Sequence, residues 1–212
     1  MTAILILLSI LVIGAALLGL FFKNFHRDPD RIPPEGSFIL APADGKILDI
    51  VELPAGEPVD LPKGIIGRVR AFTDDLADEP HLMIPIFMNP FNVHVQWAPL
   101  DGQVLKIEER EGKFVAAYSL QALENATIEM LVDTEIGRVK LLQTAGYLVR
   151  HIHNWLTVGE TLEKGQRWGK MDFGSQVTII VPRKAVGEIK VKKDDFVMAG
   201  ETVLADYVMR NA

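Results

Sequence analysis

The sequence predicts a β-dominated fold, mainly an antiparallel sandwich or flattened barrel of hairpins, behind an N-terminal transmembrane helix. Three observations carry this expectation. Residues 3–22 form an apolar stretch in which Ser9 is the one strongly polar member, close to the roughly 20 residues a helix needs to cross a bilayer core. The remainder is divided into short apolar runs, rich in β-branched residues and punctuated by Gly, Pro and Asp-Gly, a pattern of strands and turns. Two pairs of turn-plus-strand segments recur along the chain, as repeated hairpins would require.

The first element, residues 1–22, reads as a retained anchor. A cleaved signal peptide would carry positive charge ahead of the apolar run and a small-x-small site behind it. Here only Met1 and Thr2 precede the run, and Leu20-Phe21-Phe22 closes it. Lys23, Arg27 and Arg31 follow, and positive charge on that flank places residues 23–212 on the cytoplasmic side of a cell membrane. The connector "KNFHRDPDRIPPEG" is charged and proline-rich.

Strands are then expected in "GKILDIVEL", "HLMIPIF", "NVHVQW", "GQVLKI", "GRVKLLQT", "VTIIVP", "GEIKVK" and "TVLADYV". Residues 116–130, "AAYSLQALENATIEM", have helical spacing and are expected to form a helix. The stretch "GKMDFGSQVTIIVP", residues 169–182, reads as one buried strand closed by a proline. Met171, Phe173, Ser175, Val177, Ile179 and Val181 share a parity, so a serine preceded by a glycine falls on the apolar face. The internal echoes are "APADGKI" (41–47) with "APLDGQV" (98–104), and "VGETLEKGQRWGKM" (158–171) with "KKDDFVMAGETVLA" (192–205).

With 212 residues, 49% of them hydrophobic, the chain suits one domain of moderate size plus the anchor. It contains no cysteine, which excludes disulfides, thiolate metal sites and cysteine nucleophiles. A formal net charge of −6 argues against a general nucleic-acid binder, for which a basic excess is usual.

Taken alone, Ser175 reads as a small residue filling a tight core position, its hydroxyl bonded to backbone. A nucleophilic role would need a base and an orienting carboxylate. His94 shares a strand parity with Asn92 and Gln96, opposite Val93 and Val95. Asp44 and Asp101 are equal candidates for the carboxylate, each standing before a glycine where a hairpin turn favours Asp-Gly. His151 and His153 flank Ile152 and would face one way in a strand, but no third ligand stands nearby, and no metal site is expected. Lys170-Met171 is faintly like the carrier lysine of a biotinyl or lipoyl module, though a strand follows it.

The ordered pieces "FFKNFHRDPDR", "APADGKI", "NPFNVHVQWAPLDGQV", "GKF", "QTAGYLVRHI" and "GETLEKGQRWGKMDFGSQV" resemble the short branch of the phosphatidylserine decarboxylase family and its archaetidylserine counterparts, over nearly the whole chain. The resemblance implies a proenzyme that cuts itself at Gly174-Ser175 into chains 1–174 and 175–212. It implies that Ser175 becomes a pyruvoyl cofactor at the head of the small chain. Its motifs map the catalytic Asp and His onto Asp44 and His94, with Asp44 orienting His94 as general base. The substrate implied is a serine phospholipid at the membrane, the product its ethanolamine lipid plus CO2, and the assembly a homodimer of processed protomers. Arg150, beside motif residues, is the leading candidate for the phosphodiester, with Arg27 and Arg31 as others. Two departures stand out: Gln176 follows the serine where long-chain relatives carry threonine, and a segment that is "NER"-like in the family reads Asn125-Ala126-Thr127. Two other classes compete: a membrane-anchored biotinyl/lipoyl-like module, resting on the two Gly-Glu-Thr echoes and Lys170, and a serine hydrolase using the same Ser175, His94 and Asp44. The Gly-x-Ser-x-Gly motif common in hydrolases is absent.

Overall fold

The computed structural model describes residues 2–55, 73, 75–76, 78–113, 115–146, 151–172 and 174–208. Helix α1 (Thr2–Phe25) is continuous over 24 residues, about 36 Å at 1.5 Å per residue. It is long and apolar enough to cross a membrane. The Ser9 hydroxyl donates to the Leu5 carbonyl at 2.9 Å, so the polar side chain inside the apolar stretch is satisfied within the helix. Residues 2–20 are exposed, whereas Phe25 is buried against the rest of the protein.

The strands in chain order are β1 (Phe38–Leu40), β2 (Gly45–Ile47), β3 (Val51–Leu53), β4 (His81–Phe87), β5 (Val95–Trp97), β6 (Gly102–Arg110), β7 (Thr127–Thr134), β8 (Gly137–Thr144), β9 (Ile152–Asn154), β10 (Thr161–Leu162), β11 (Arg167–Met171), β12 (Gln176–Pro182), β13 (Val186–Ile189), β14 (Phe196–Val197) and β15 (Val203–Tyr207). Among the described residues they form three antiparallel sheets. The largest runs β10-β6-β7-β8-β12-β4-β2-β14, with β3 also on β4; the smaller two run β1-β15-β13 and β5-β11-β9. The expected β-dominated architecture with an apolar N-terminal helix is the one observed.

Strand β12 lies between β8 and β4 and is buried along its length. Val177, Ile179 and Val181 enter the main core with Ile84, Ile86 and Leu141. Ile180, of opposite parity, packs with Met83 and Leu142 in a second cluster. A strand covered on both faces needs a near-continuous apolar run rather than alternation, which "VTIIV" supplies with Thr178 as its one polar member.

Two expectations change. The helix at 116–130 does not form. A short 3-10 helix (Leu120–Glu124) is followed directly by β7. The buried Asn125 stops it: its Nδ2 donates to the Val115 and Ala145 carbonyls at 2.7 and 2.8 Å, and its Oδ1 accepts the Val115 N–H at 2.8 Å. Beyond Asn125, β-branched Thr127 and Ile128 pair with β6 on one side and β8 on the other, and ladder pairing overrides helical spacing. Residues 169–182 are likewise not one strand. β11 and β12 belong to different sheets, and the chain turns between them.

The echoes prove to be a structural repeat. The Leu40 N–H donates to Pro99 O at 3.1 Å and the Trp97 N–H to Pro42 O at 3.1 Å, so the two Ala-Pro-x-Asp-Gly segments bond each other reciprocally. Gly200 N–H donates to Ala41 O and Gly165 N–H to Ala98 O. Ala199 N–H donates to Asp44 Oδ1 at 2.9 Å, and Lys164 N–H to Asp101 Oδ1 at 2.7 Å. Gly165 and Gly200 both hold positive φ, 81° and 69°, the left-handed turn that glycine adopts without steric cost.

Candidate active site

Asp44, His94 and Ser175 each occupy the position just before a strand: β2, β5 and β12 respectively. The end of β4 brings these three strand starts together. Phe87 pairs with Lys46 of β2 on one side and with Gln176 of β12 on the other. Any Cβ on Gly45 would lie 2.1 Å from the Phe87 carbonyl oxygen, so only glycine allows β2 to approach this closely. Beyond β4 the chain reverses through residues 89–92, where the Phe91 N–H donates to Asn89 Oδ1 and the Asn89 N–H to Asn92 Oδ1. This Asx-type turn delivers the chain to His94.

Ser175 is fully buried. Its carbonyl accepts the Met88 N–H at 2.9 Å, while its Oγ has no hydrogen-bond partner among the described residues. An orphaned buried hydroxyl is costly, about 1–3 kcal/mol, and is not the satisfied core serine that pattern alone suggested. The preceding Gly174 has φ +65°. No atom lies within 4 Å of where its Cβ would stand, so the glycine is there for backbone conformation rather than for space.

His94 is also fully buried. Its Nδ1 lies 2.9 Å from the Asn92 carbonyl; a carbonyl only accepts, so Nδ1 carries the proton and Nε2 is the bare nitrogen. Nε2 is buried and without a partner among the described residues. Burial pulls this imidazole from 6.5 down to about 4, against the opposing effects of the Asn92 bond and the Asp172 carboxylate. At neutral pH it is therefore an uncharged base. Its backbone carbonyl accepts both the Met171 N–H at 3.0 Å and Gln96 Nε2 at 2.7 Å. Gln96 Nε2 also lies 3.9 Å from Met88 Sδ, so Ser175 and His94 hang on one frame of Met88, Gln96 and Met171.

Asp44 does not bond the His94 ring, as a direct orienting role would require; the Asn92 carbonyl orients the imidazole. Asp44 Oδ1 instead accepts from Arg31 at 2.6 Å and from the Ala199 N–H, and Oδ2 accepts the Val93 N–H at 3.4 Å. Its hold on His94 thus runs through the neighbouring peptide. The two aspartates differ physically: Asp44 is buried beside this segment, whereas Asp101 is exposed and holds the repeat-related turn.

Arg31, a candidate phosphodiester ligand from sequence, is committed elsewhere. Its side chain is 5% exposed, donates to Asp44 and to Ala199 O, and lies 4.5 Å over the Trp97 ring. Arg27 donates to Asn24 O and Phe91 O. Arg150 lies outside the described residues, as does Phe173. Lys170 sits inside β11, not at a hairpin tip, with Nζ 2.9 Å from His26 Nδ1. His151 and His153 lie on one exposed face with rings 6.3 Å apart, and His151 Nδ1 is 3.4 Å from Asp172. Sequence reasoning missed Asn92 and Phe25. The Asn-Pro-x-Asn turn signal could have found Asn92; nothing local marks Phe25, whose ring lies 4.3 Å from that of His94.

Comparison with known proteins gives a consistent result. Residues 18–205 match the family model described as phosphatidylserine decarboxylase. A protein of Methanothermobacter thermautotrophicus named as a putative archaetidylserine decarboxylase proenzyme is 38% identical, the match covering 88% of this chain and 81% of that protein. Phosphatidylserine decarboxylase proenzymes of Chlorobium phaeobacteroides and Chlorobium limicola are 37% and 34% identical, over 95% and 92% of this chain and 86% and 84% of theirs.

Proposed function

The chain belongs to the phosphatidylserine decarboxylase family, and on that premise we propose that it is a self-cleaving, pyruvoyl-dependent decarboxylase of a serine phospholipid. The observation that carries this reading is the pair of buried atoms without a partner among the described residues, Ser175 Oγ and His94 Nε2, held on one frame behind a positive-φ glycine. His94 Nε2 takes the hydroxyl proton of Ser175. Oγ bonds to the Gly174 carbonyl carbon and the C–N bond breaks, leaving an ester and a free amine on residue 175. Loss of the residue 175 α-proton then breaks Cβ–Oγ, so that Gly174 departs as a carboxylate carrying that oxygen. The resulting enamine rearranges, and water replaces its nitrogen as ammonia, leaving a ketone on residue 175.

The surroundings of residue 175 fit that group. They are buried and largely apolar, and the Met88 N–H already fixes the carbonyl next to the future ketone. The pyruvoyl group supplies an electron sink for the carbanion left when CO2 departs. Burial around residue 175 excludes water and favours loss of carboxylate charge. His94 Nε2, bare at rest, takes up a proton from water and passes it to the new carbon. The helix acts as a retained anchor, with Lys23, Arg27 and Arg31 keeping the domain on the cytoplasmic face, where a tethered site meets lipid headgroups at high effective concentration.

Intact-mass measurement of the purified protein tests this reading. Two fragments are expected, one ending at Gly174 and one beginning with a ketone-bearing residue 175 that resists N-terminal sequencing. Ser175→Ala and His94→Ala are expected to remain uncut and to release no CO2 from a serine phospholipid. A single uncut species in active protein would sink the proposal. It would favour a serine hydrolase, or a carrier module if Lys170 proved modified.

A further inference from the structure

Helix α1 exposes its residues as far as position 20, then buries one side chain almost completely. Phe25 is 2% exposed, and its ring lies against the His94 imidazole at 4.3 Å. Phe21, one turn earlier on the same face, stacks on Phe25 and meets Phe91 edge-on at 6.0 Å. Arg27 closes the joint by donating to the Phe91 carbonyl at 2.6 Å, and His26 receives Lys170 of β11. Six residues beyond Phe25, the buried Arg31 guanidinium grips Asp44 and the Ala199 carbonyl. The segment leaving the apolar helix therefore touches both His94 and Asp44.

We infer that the juxtamembrane segment is part of the active site: Phe25 is a positioning residue for His94, and Arg31 a positioning residue for Asp44. The phenyl ring closes the wall behind the imidazole and keeps water from it. Arg31 holds the carboxylate whose other oxygen fixes the Val93 peptide. Membrane attachment and self-processing then depend on the same few residues, so the domain is assembled around its tether. The inference rests on His94 acting as the base of self-cleavage.

Charges reach His94 from each element packed on it. Arg27 comes from just past the end of α1, beside the titratable His26 ring that lies 2.9 Å from Lys170 Nζ; Lys170 comes from β11, Asp172 from just after it, and Asp44 lies beneath Val93. Asp172 favours the protonated imidazole and Lys170 and Arg27 disfavour it, but burial is the largest effect and lowers the value to about 4. Removing the phenyl ring admits water, so the value rises toward the ordinary 6.5. The base form is then lost as pH falls through a higher range.

The test uses the full chain in detergent micelles or nanodiscs and follows self-cleavage of freshly made precursor against pH. In Phe25→Ala the acidic limb is expected to move upward, with the rate at about pH 5.5 roughly tenfold below that of the parent as the neutral fraction falls. Phe25→Leu, which retains most of the apolar cover, is expected to shift the same way by less. It carries the test if the alanine variant does not fold. NMR titration of His94 in the uncleavable Ser175→Ala background, with and without the Phe25 change, reads the same shift without any activity. Arg31→Ala is expected to slow cleavage at every pH without moving the limb, and Arg31→Lys to restore part of the rate. If the limb and the His94 titration stay where they were in the Phe25 variants, the inference fails while the proposed function stands. If His94→Ala still cuts itself, the proposed function fails first.

Discussion

Asp44 and Asp101 share a residue type, a turn and a bond to the backbone of a following left-handed glycine turn, yet they differ in burial and counter-charge. Asp44 is enclosed with Arg31, and removing one member of a buried pair commonly costs ~3–5 kcal/mol because the other is left uncompensated. Asp44→Asn is therefore expected to lower the melting temperature of the Ser175→Ala precursor markedly and, in the parent background, to leave most of the chain uncut. Asp101→Asn keeps an acceptor oxygen at an exposed turn, and should change stability by no more than about 0.5 kcal/mol while the chain still cuts. Equal effects in denaturation and in gel analysis of cleavage would contradict this assignment. Residue type and spacing offered both aspartates; burial, which depends on where Arg31 returns to the fold, separates them.

At the level of elements, β11 is the joint between the small sheet holding His94 and the turn holding Ser175. Its closeness to β9 depends on Gly169. A Cβ there would stand 2.6 Å from Gln143 Nε2 and 2.7 Å from the His153 carbonyl oxygen, and the latter is backbone that cannot swing aside. Gly169→Ala is expected to cost about 1–3 kcal/mol, as overpacking does, and to disturb the Gln143–Gln96 contact of 3.1 Å behind His94. Gly187→Ala is the control, since its nearest neighbour would be an ordinary 3.4 Å away. Chemical denaturation of both variants decides this; equal midpoints would contradict it. Strands such as β4 and β12 were legible because their apolar runs are long and bounded by turn residues. The lost helix at 116–130 was not, because only Asn125 and the partners on either side of β7 reveal that a ladder awaits those residues.

Across the whole molecule, cleavage at Gly174-Ser175 would not release the small chain. Residues 175–208 supply β12 to the centre of the largest sheet, β14 to its edge, and β13 and β15 to the sheet with β1. Val177, Ile179, Ile180 and Val181 are among the small chain's fully buried side chains, each worth about 1.5–3 kcal/mol as an upper estimate. The two fragments are expected to elute as one species in native gel filtration and to separate only in denaturant; separation under native conditions would contradict this picture. The same interleaving would let a cut made inside the fold leave the proposed site assembled.

The sequence by itself determined the class of the fold, the apolar helix, the family, and the identity of Ser175, His94 and Asp44 as residues to watch. The first two are properties of composition and run length, the others of the resemblance of ordered motifs to a family, and none needs knowledge of distant neighbours. Only the tertiary structure decided that Asn92 rather than Asp44 bonds the His94 ring, that Arg31 neutralises Asp44, and that Phe25 covers the imidazole. Residues 25 and 94 are far apart in the chain, and no local pattern encodes their contact. It exists because β5, β11 and the end of α1 converge, and burial there lowers the pKa of the His94 imidazole.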